Sequence, residues 1–111
     1  DGAIAIFDCP DMDPKWSYAK INGVTVTEVA EKKAISNWAT VGFYTWKDGN
    51  EFIRAAEEMI ANNERVNGEF YLCPVFNYSI KNNKHIVGYT VTEMHGLGTP
   101  EDLEYFLSKE I

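Results

Sequence analysis

A carboxylate followed at once by two ammonium groups, Glu31-Lys32-Lys33, could hold a sugar hydroxyl and a phosphate side by side. A carboxylate accepts hydrogen bonds from hydroxyls, and lysine is a point charge suited to phosphate. As an isolated pattern the triplet is weak, and spacing alone favours a solvated charged turn, since surface charge needs no function. A second candidate is Arg65-Val66-Asn67-Gly68-Glu69, a polar joint between helices that puts Glu69 near a helix N-terminus, where a carboxylate is favourable on dipole grounds alone. In His95-Gly96-Leu97-Gly98-Thr99, two glycines permit close backbone approach and the helix start that follows offers free N–H groups to an anion. The plainer alternative is a strand-to-helix turn. Asp11-Met12-Asp13 has the look of a paired-carboxylate metal motif or the opening of a calcium loop. The calcium alternative fails because the downstream Gly and bidentate Glu are missing at their offsets, leaving a proline-flanked acidic loop as the simpler account. His85, beside Lys84, reads as a surface residue, and no Ser or Cys lies in a recognisable nucleophile motif.

The chemistry is bounded by composition. The chain has 111 residues, enough for one compact domain, and 45% are hydrophobic, enough for a core. With 10 Lys+Arg against 17 Asp+Glu the formal charge is −7, the wrong sign for a generic phosphate-backbone binder, so nucleic acid is not expected as a partner. No apolar run approaches the ~20 residues of a membrane span, so no membrane partner is expected, and a cytoplasmic location is. Cys9 and Cys73 are far apart and outside any metal-ligand spacing, which favours two free thiols. Asn77-Tyr78-Ser79 matches the glycosylation sequon, a pattern short enough to arise by chance.

The elements that must position these residues follow from periodicity. Ala3 to Phe7 is an apolar run of buried-strand type, and Asp8 to Pro14, with two prolines and three acids, is a loop. Trp16–Ile21 and Val24–Val29 form a hairpin around Asn22-Gly23, for which a type I′ turn is expected. Thr40–Trp46 is a further strand. Phe52, Ile53, Ala56, Met59 and Ile60 recur at helical spacing, predicting a helix over 50–62. Leu72, Val75, Phe76 and Ile80 continue that period, predicting a second helix from Glu69 or Phe70 to Lys81 with Pro74 in its first turn. His85–Thr92 reads as a strand. Thr99-Pro100-Glu101-Asp102 then starts a terminal helix.

Four pieces in order, Val29-Ala30-Glu31-Lys32, Ala39-Thr40-Val41-Gly42-Phe43-Tyr44, Asn67-Gly68-Glu69-Phe70-Tyr71 and Gly98-Thr99-Pro100-Glu101-Asp102-Leu103, resemble the C-terminal half of bacterial sugar-1-phosphate nucleotidyltransferases. The resemblance implies an α/β fold in which a mixed sheet with flanking helices forms part of a Rossmann-like, GT-A-like nucleotidyltransferase domain. It implies coupling of a sugar 1-phosphate to a nucleoside triphosphate with release of pyrophosphate, assisted by magnesium, to make a nucleotide sugar for surface polysaccharide. On that basis Glu31 binds the sugar, Lys32 its phosphate and Glu69 a sugar hydroxyl, Tyr44 lines the sugar pocket after Gly42, and Asn67 is a further substrate contact.

This sequence departs from the family in carrying Gly96 where many members have a magnesium-ligating Asp, and Lys33 where proline commonly follows the Glu-Lys pair. Nothing in it reproduces the family's glycine-rich nucleotide loop. The expectation is therefore a single domain, residues 1–111, forming the sugar-phosphate side of a larger enzyme and inactive alone, with a bare flank through which it could form a homo-oligomer. Two other functions compete: a non-catalytic sugar-phosphate-binding or regulatory module, and a metal-dependent glycosyltransferase using Asp11 and Asp13.

Overall fold

The computed structural model describes residues 1–92 and 100–110. The chain order is β1 (Gly2–Asp8), β2 (Ser17–Asn22), β3 (Thr25–Glu31), β4 (Trp38–Trp46), α1 (Gly49–Ala61), α2 (Val75–Lys81), β5 (Ile86–Thr90) and α3 (Pro100–Glu110). β1 lies at the centre of one ladder, antiparallel to β4 and parallel to β5, with Ile4, Ala5 and Ile6 all buried. β2 and β3 form the second ladder.

The expected open, Rossmann-like or GT-A-like sheet is not what forms. The five strands close into a barrel in the order β1-β4-β2-β3-β5. Closure occurs at two narrow seams, Tyr18↔Ala39 between β2 and β4 and Thr25↔Val87 between β3 and β5. Register shifts between Ile4 and Ile6 and between Lys20 and Ile21 add the local twist that a small barrel needs. Gly88 clears the interior at the second seam: a Cβ there would stand 3.1 Å from Ile6 Cδ1 and 3.5 Å from methyls of both Ile21 and Val26. Alternating polarity shows that a strand is half-buried, but it cannot distinguish an edge from a strand whose edge meets another.

Two turns also differ from expectation. Asn22 pairs with Thr25, so Gly23 and Val24 are the central residues, and only Gly23 has positive φ, +66°. That φ pattern belongs to a II′ turn, with glycine first, rather than I′. The helix expected from Glu69 starts at Val75, with Pro74 as its cap at φ −62°. Before it, Asn67 and Gly68 have φ of +52° and +80°, and Val66 bridges to Glu69, the I′ pattern expected of the other Asn-Gly pair. Pro74 disfavours helical geometry in the residue before it, which separates the turn from the helix.

The barrel's core joins Ile4, Ile6, Ala19, Val26, Val29 and Ile86 to Cys73 and Phe76 from the α2 arm. Trp46 stacks on Phe76 with ring centroids 3.9 Å apart and packs edge-on against Phe52 of α1. α1 and α2 share a second cluster of Ala55, Met59, Val75 and Tyr78. Below it Arg54 grips buried Glu51 with two hydrogen bonds of 2.8 and 2.9 Å, while Ser79 Oγ donates to the same carboxylate at 2.8 Å. These contacts, Arg54 first, hold the Glu51 carboxyl down at about 2. Among the described residues no helix is long and apolar enough to cross a membrane.

Candidate functional site

Glu31 and Lys32 lie where β3 ends. Residues two apart on a strand share a face, so Glu31 is directed to the same side as core residue Val29, the inner face of the barrel. Lys32 leaves the strand at φ +56°, with its N–H donating to the Trp16 carbonyl at 3.1 Å. This turn carries its ammonium to the Tyr71 ring, 5.1 Å from the centroid. The Tyr71 hydroxyl donates to Glu69 Oε2 at 2.7 Å. Contact with the Tyr71 hydroxyl, reinforced by the Glu31 and Glu69 carboxylates, raises the Lys32 pKa above the ordinary lysine value. Lys32 and Glu69, 37 residues apart along the chain, thus meet at Tyr71, and Glu31 is the neighbour of Lys32 in sequence.

Tyr44 stands on β4, with β2 between it and β3. Its hydroxyl is 2.8 Å from Thr40 Oγ1 and its ring lies 5.7 Å from that of Phe76. Burial raises its pKa well above the usual phenol range. Glu31, Tyr44, Thr40, Ser17 and Trp16 line an open cavity of about 170 Å³, with Gly42 at its rim. Gly42 adopts φ +87°, a conformation that favours glycine. An aromatic wall carrying hydroxyls and one carboxylate can pack against a pyranose face and hydrogen-bond its edge.

Asn67 is exposed, and its left-handed conformation forms the turn. Arg65 braces that turn, donating to the Gly68 carbonyl at 3.1 Å with its guanidinium 4.1 Å from the Phe70 ring centroid. Glu69 is not at a helix N-terminus, since α2 begins six residues later. The capping alternative for Glu69 is thereby removed.

Residues that spacing did not single out make the joins. Tyr71 links Lys32 to Glu69. Asn77 of α2 accepts from the Val29 N–H at 2.9 Å and donates to the Val29 carbonyl at 2.8 Å. A polar residue flanked by buried Phe76 and Tyr78 was the available signal for Asn77, which the sequence offered only as a glycosylation match.

Elsewhere the candidates are locally occupied. Asp11 accepts from the Cys9 thiol at 3.0 Å, chiefly lowering its pKa, and Asp13 accepts from the Lys15 N–H at 3.0 Å. Cys9 and Cys73 are free and buried, and burial pushes the Cys73 thiol up to about 12. His85 Nε2 is 3.0 Å from Thr25 Oγ1. His95 to Thr99, including Gly96, lies outside the described residues.

No family model matches this sequence, and no curated protein does. Solved structures do. The nucleoside-diphosphate-sugar pyrophosphorylase of Vibrio cholerae RC9 is 28% identical over 97% of this chain, with a TM-score of 0.86. A Bacillus anthracis protein described as a glucose-1-phosphate thymidylyltransferase, crystallised with sucrose, is 18% identical over 99% of the chain with a TM-score of 0.69, a likeness of fold. The chain spans 46% and 44% of those two proteins' lengths. It is thus structurally homologous to part of a bacterial nucleotide-sugar pyrophosphorylase.

Proposed function

We propose that this chain forms the sugar-phosphate-binding side of a cytoplasmic nucleotidyltransferase that joins a sugar 1-phosphate to a nucleoside triphosphate, giving a nucleotide sugar and pyrophosphate for surface polysaccharide. The observation that carries this is the meeting of the Lys32 ammonium and the Glu69 carboxylate at Tyr71, while Glu31, next to Lys32 in sequence, lines a cavity walled by Tyr44. In this role Lys32 meets the phosphate, Glu31 and Glu69 accept hydrogen bonds from sugar hydroxyls, Tyr44 supplies an apolar wall and Asn67 holds the turn that presents Glu69. Phosphoryl-group chemistry depends mainly on such positioning and charge neutralisation.

Magnesium is the family's expected cofactor. Among the described residues no three His, Cys, Asp or Glu side chains converge, so no ready-made all-protein metal cage stands beside these groups. The nucleotide would be met by residues other than Glu31, Lys32, Tyr44, Asn67 and Glu69.

Calorimetric titration with glucose 1-phosphate, and with other hexose 1-phosphates in parallel, tests the proposal. Saturable binding that neither the free hexose nor inorganic phosphate reproduces is expected, without pyrophosphate release on adding nucleoside triphosphates to this chain. Absence of binding by every sugar phosphate tried would overturn it.

A further inference from the structure

The two arms that carry the candidate residues are separate in sequence: β3 brings Glu31 and Lys32, and the segment leading to α2 brings Glu69 and Tyr71. Something must set the distance between them. Val29 faces Ala19 of β2 across the hairpin, yet its N–H and carbonyl both bond to Asn77, so they point away from β2, as in a non-hydrogen-bonded antiparallel pair. On that outer edge β3 meets β5 only at Thr25↔Val87. The Asn77 amide, one acceptor and one donor in a plane, therefore takes the place of a neighbouring strand's peptide at Val29, which is 1% exposed. Without it, a buried N–H and a buried carbonyl would lack partners.

We infer that Asn77 is the positioning residue of this site: its paired hydrogen bonds to Val29 fix the spacing between Lys32 and Tyr71. Val29 is two residues from Glu31 and three from Lys32, and Asn77 is six from Tyr71. Cys73, Pro74 and Val75, all buried, tie Asn77 rigidly to the Tyr71 side. A shift of about 1 Å at such a joint is enough to disturb a charged contact with a phosphate. Asn77 acts through the residues it registers rather than by touching substrate.

The test has an arm that needs no ligand and a second that rests on the function proposed above. In proton NMR of the whole chain, the Lys32 ε-methylene protons should be displaced by the Tyr71 ring current. Asn77→Ala should abolish that displacement, and Asn77→Asp, which keeps the acceptor and the size but loses the donor, should do the same if the alanine variant fails to fold. Glu51→Gln weakens the α1–α2 contact without touching β3 and should leave the displacement in place, which separates positioning from stability. In the second arm, glucose 1-phosphate affinity should fall about tenfold or more in the Asn77 variants and change less than about twofold in Glu51→Gln. A ring-current displacement retained without the Asn77 amide, or lost equally in Glu51→Gln, would overturn the inference. Absence of sugar-phosphate binding by the unaltered protein would instead overturn the proposed function, with the NMR arm still deciding the role of Asn77.

Discussion

A lysine at φ +56° is held in a conformation that costs an ordinary L-residue about 1 kcal/mol or more. Glycine would adopt it more cheaply, so the Lys32 side chain is carried at a conformational cost. This separates stability from binding. Lys32→Gly should leave the free energy of unfolding in urea unchanged or raised by up to about 1 kcal/mol while removing sugar-phosphate affinity. Lys32→Ala should lose the affinity without the stabilising effect. A Lys32→Gly protein that binds normally would return the residue to the solvated-turn alternative. At this scale the sequence discloses residue types: Glu31, Lys32 and Glu69 are candidates by their charge, and only the family resemblance points them to a phosphorylated sugar. It does not disclose that Tyr71 joins two of them, because a tyrosine in an apolar stretch resembles any core aromatic.

The elements were legible where local preference and tertiary packing agree. All the strands, α1 and the start of α3 fall close to where periodicity and capping put them. The shortened α2 shows the opposite case. Leu72 keeps helical spacing with Val75 and Phe76, yet it is 55% exposed, and the positive φ values at Asn67 and Gly68 together with Pro74 prevail over that period. Between α1 and α2, Glu51 couples both helices through Arg54, Ser79 and Asn82. Because its pKa is held at about 2 against an ordinary 4.5, the ionised form stabilises the fold fully above pH 4.5, and that contribution fades as the pH falls toward 2. Glu51→Gln should cost about 2 kcal/mol at neutral pH, less than the pKa shift alone implies because Arg54 is partly solvated. Its stability should also decline less steeply than the unaltered protein's between pH 5 and about 2, as followed by circular dichroism. Parallel pH profiles would show that Glu51 is not the titrating group.

For the whole molecule, closure of the sheet was the part least available from sequence, since it depends on contacts between residues such as Gly88, Ile6, Ile21 and Val26 that no local pattern relates. Gly88→Val would force branched methyls into that meeting point and should destabilise by about 2–3 kcal/mol, whereas Gly88→Ala should stay within about 1 kcal/mol of the unaltered protein. Urea midpoints compare the two; a tolerated valine would mean that the interior has room to spare. The two seams that complete the barrel are each one residue pair wide, and this gives the molecule a natural order of breathing. The β2–β3 hairpin should open as a cooperative unit at a lower free energy than β1, which is flanked on both sides, and each opening would draw Lys32 away from Tyr71. A ligand spanning that gap would act as a clasp, so amide exchange along the hairpin would slow in proportion to occupancy and report binding without any assay of turnover.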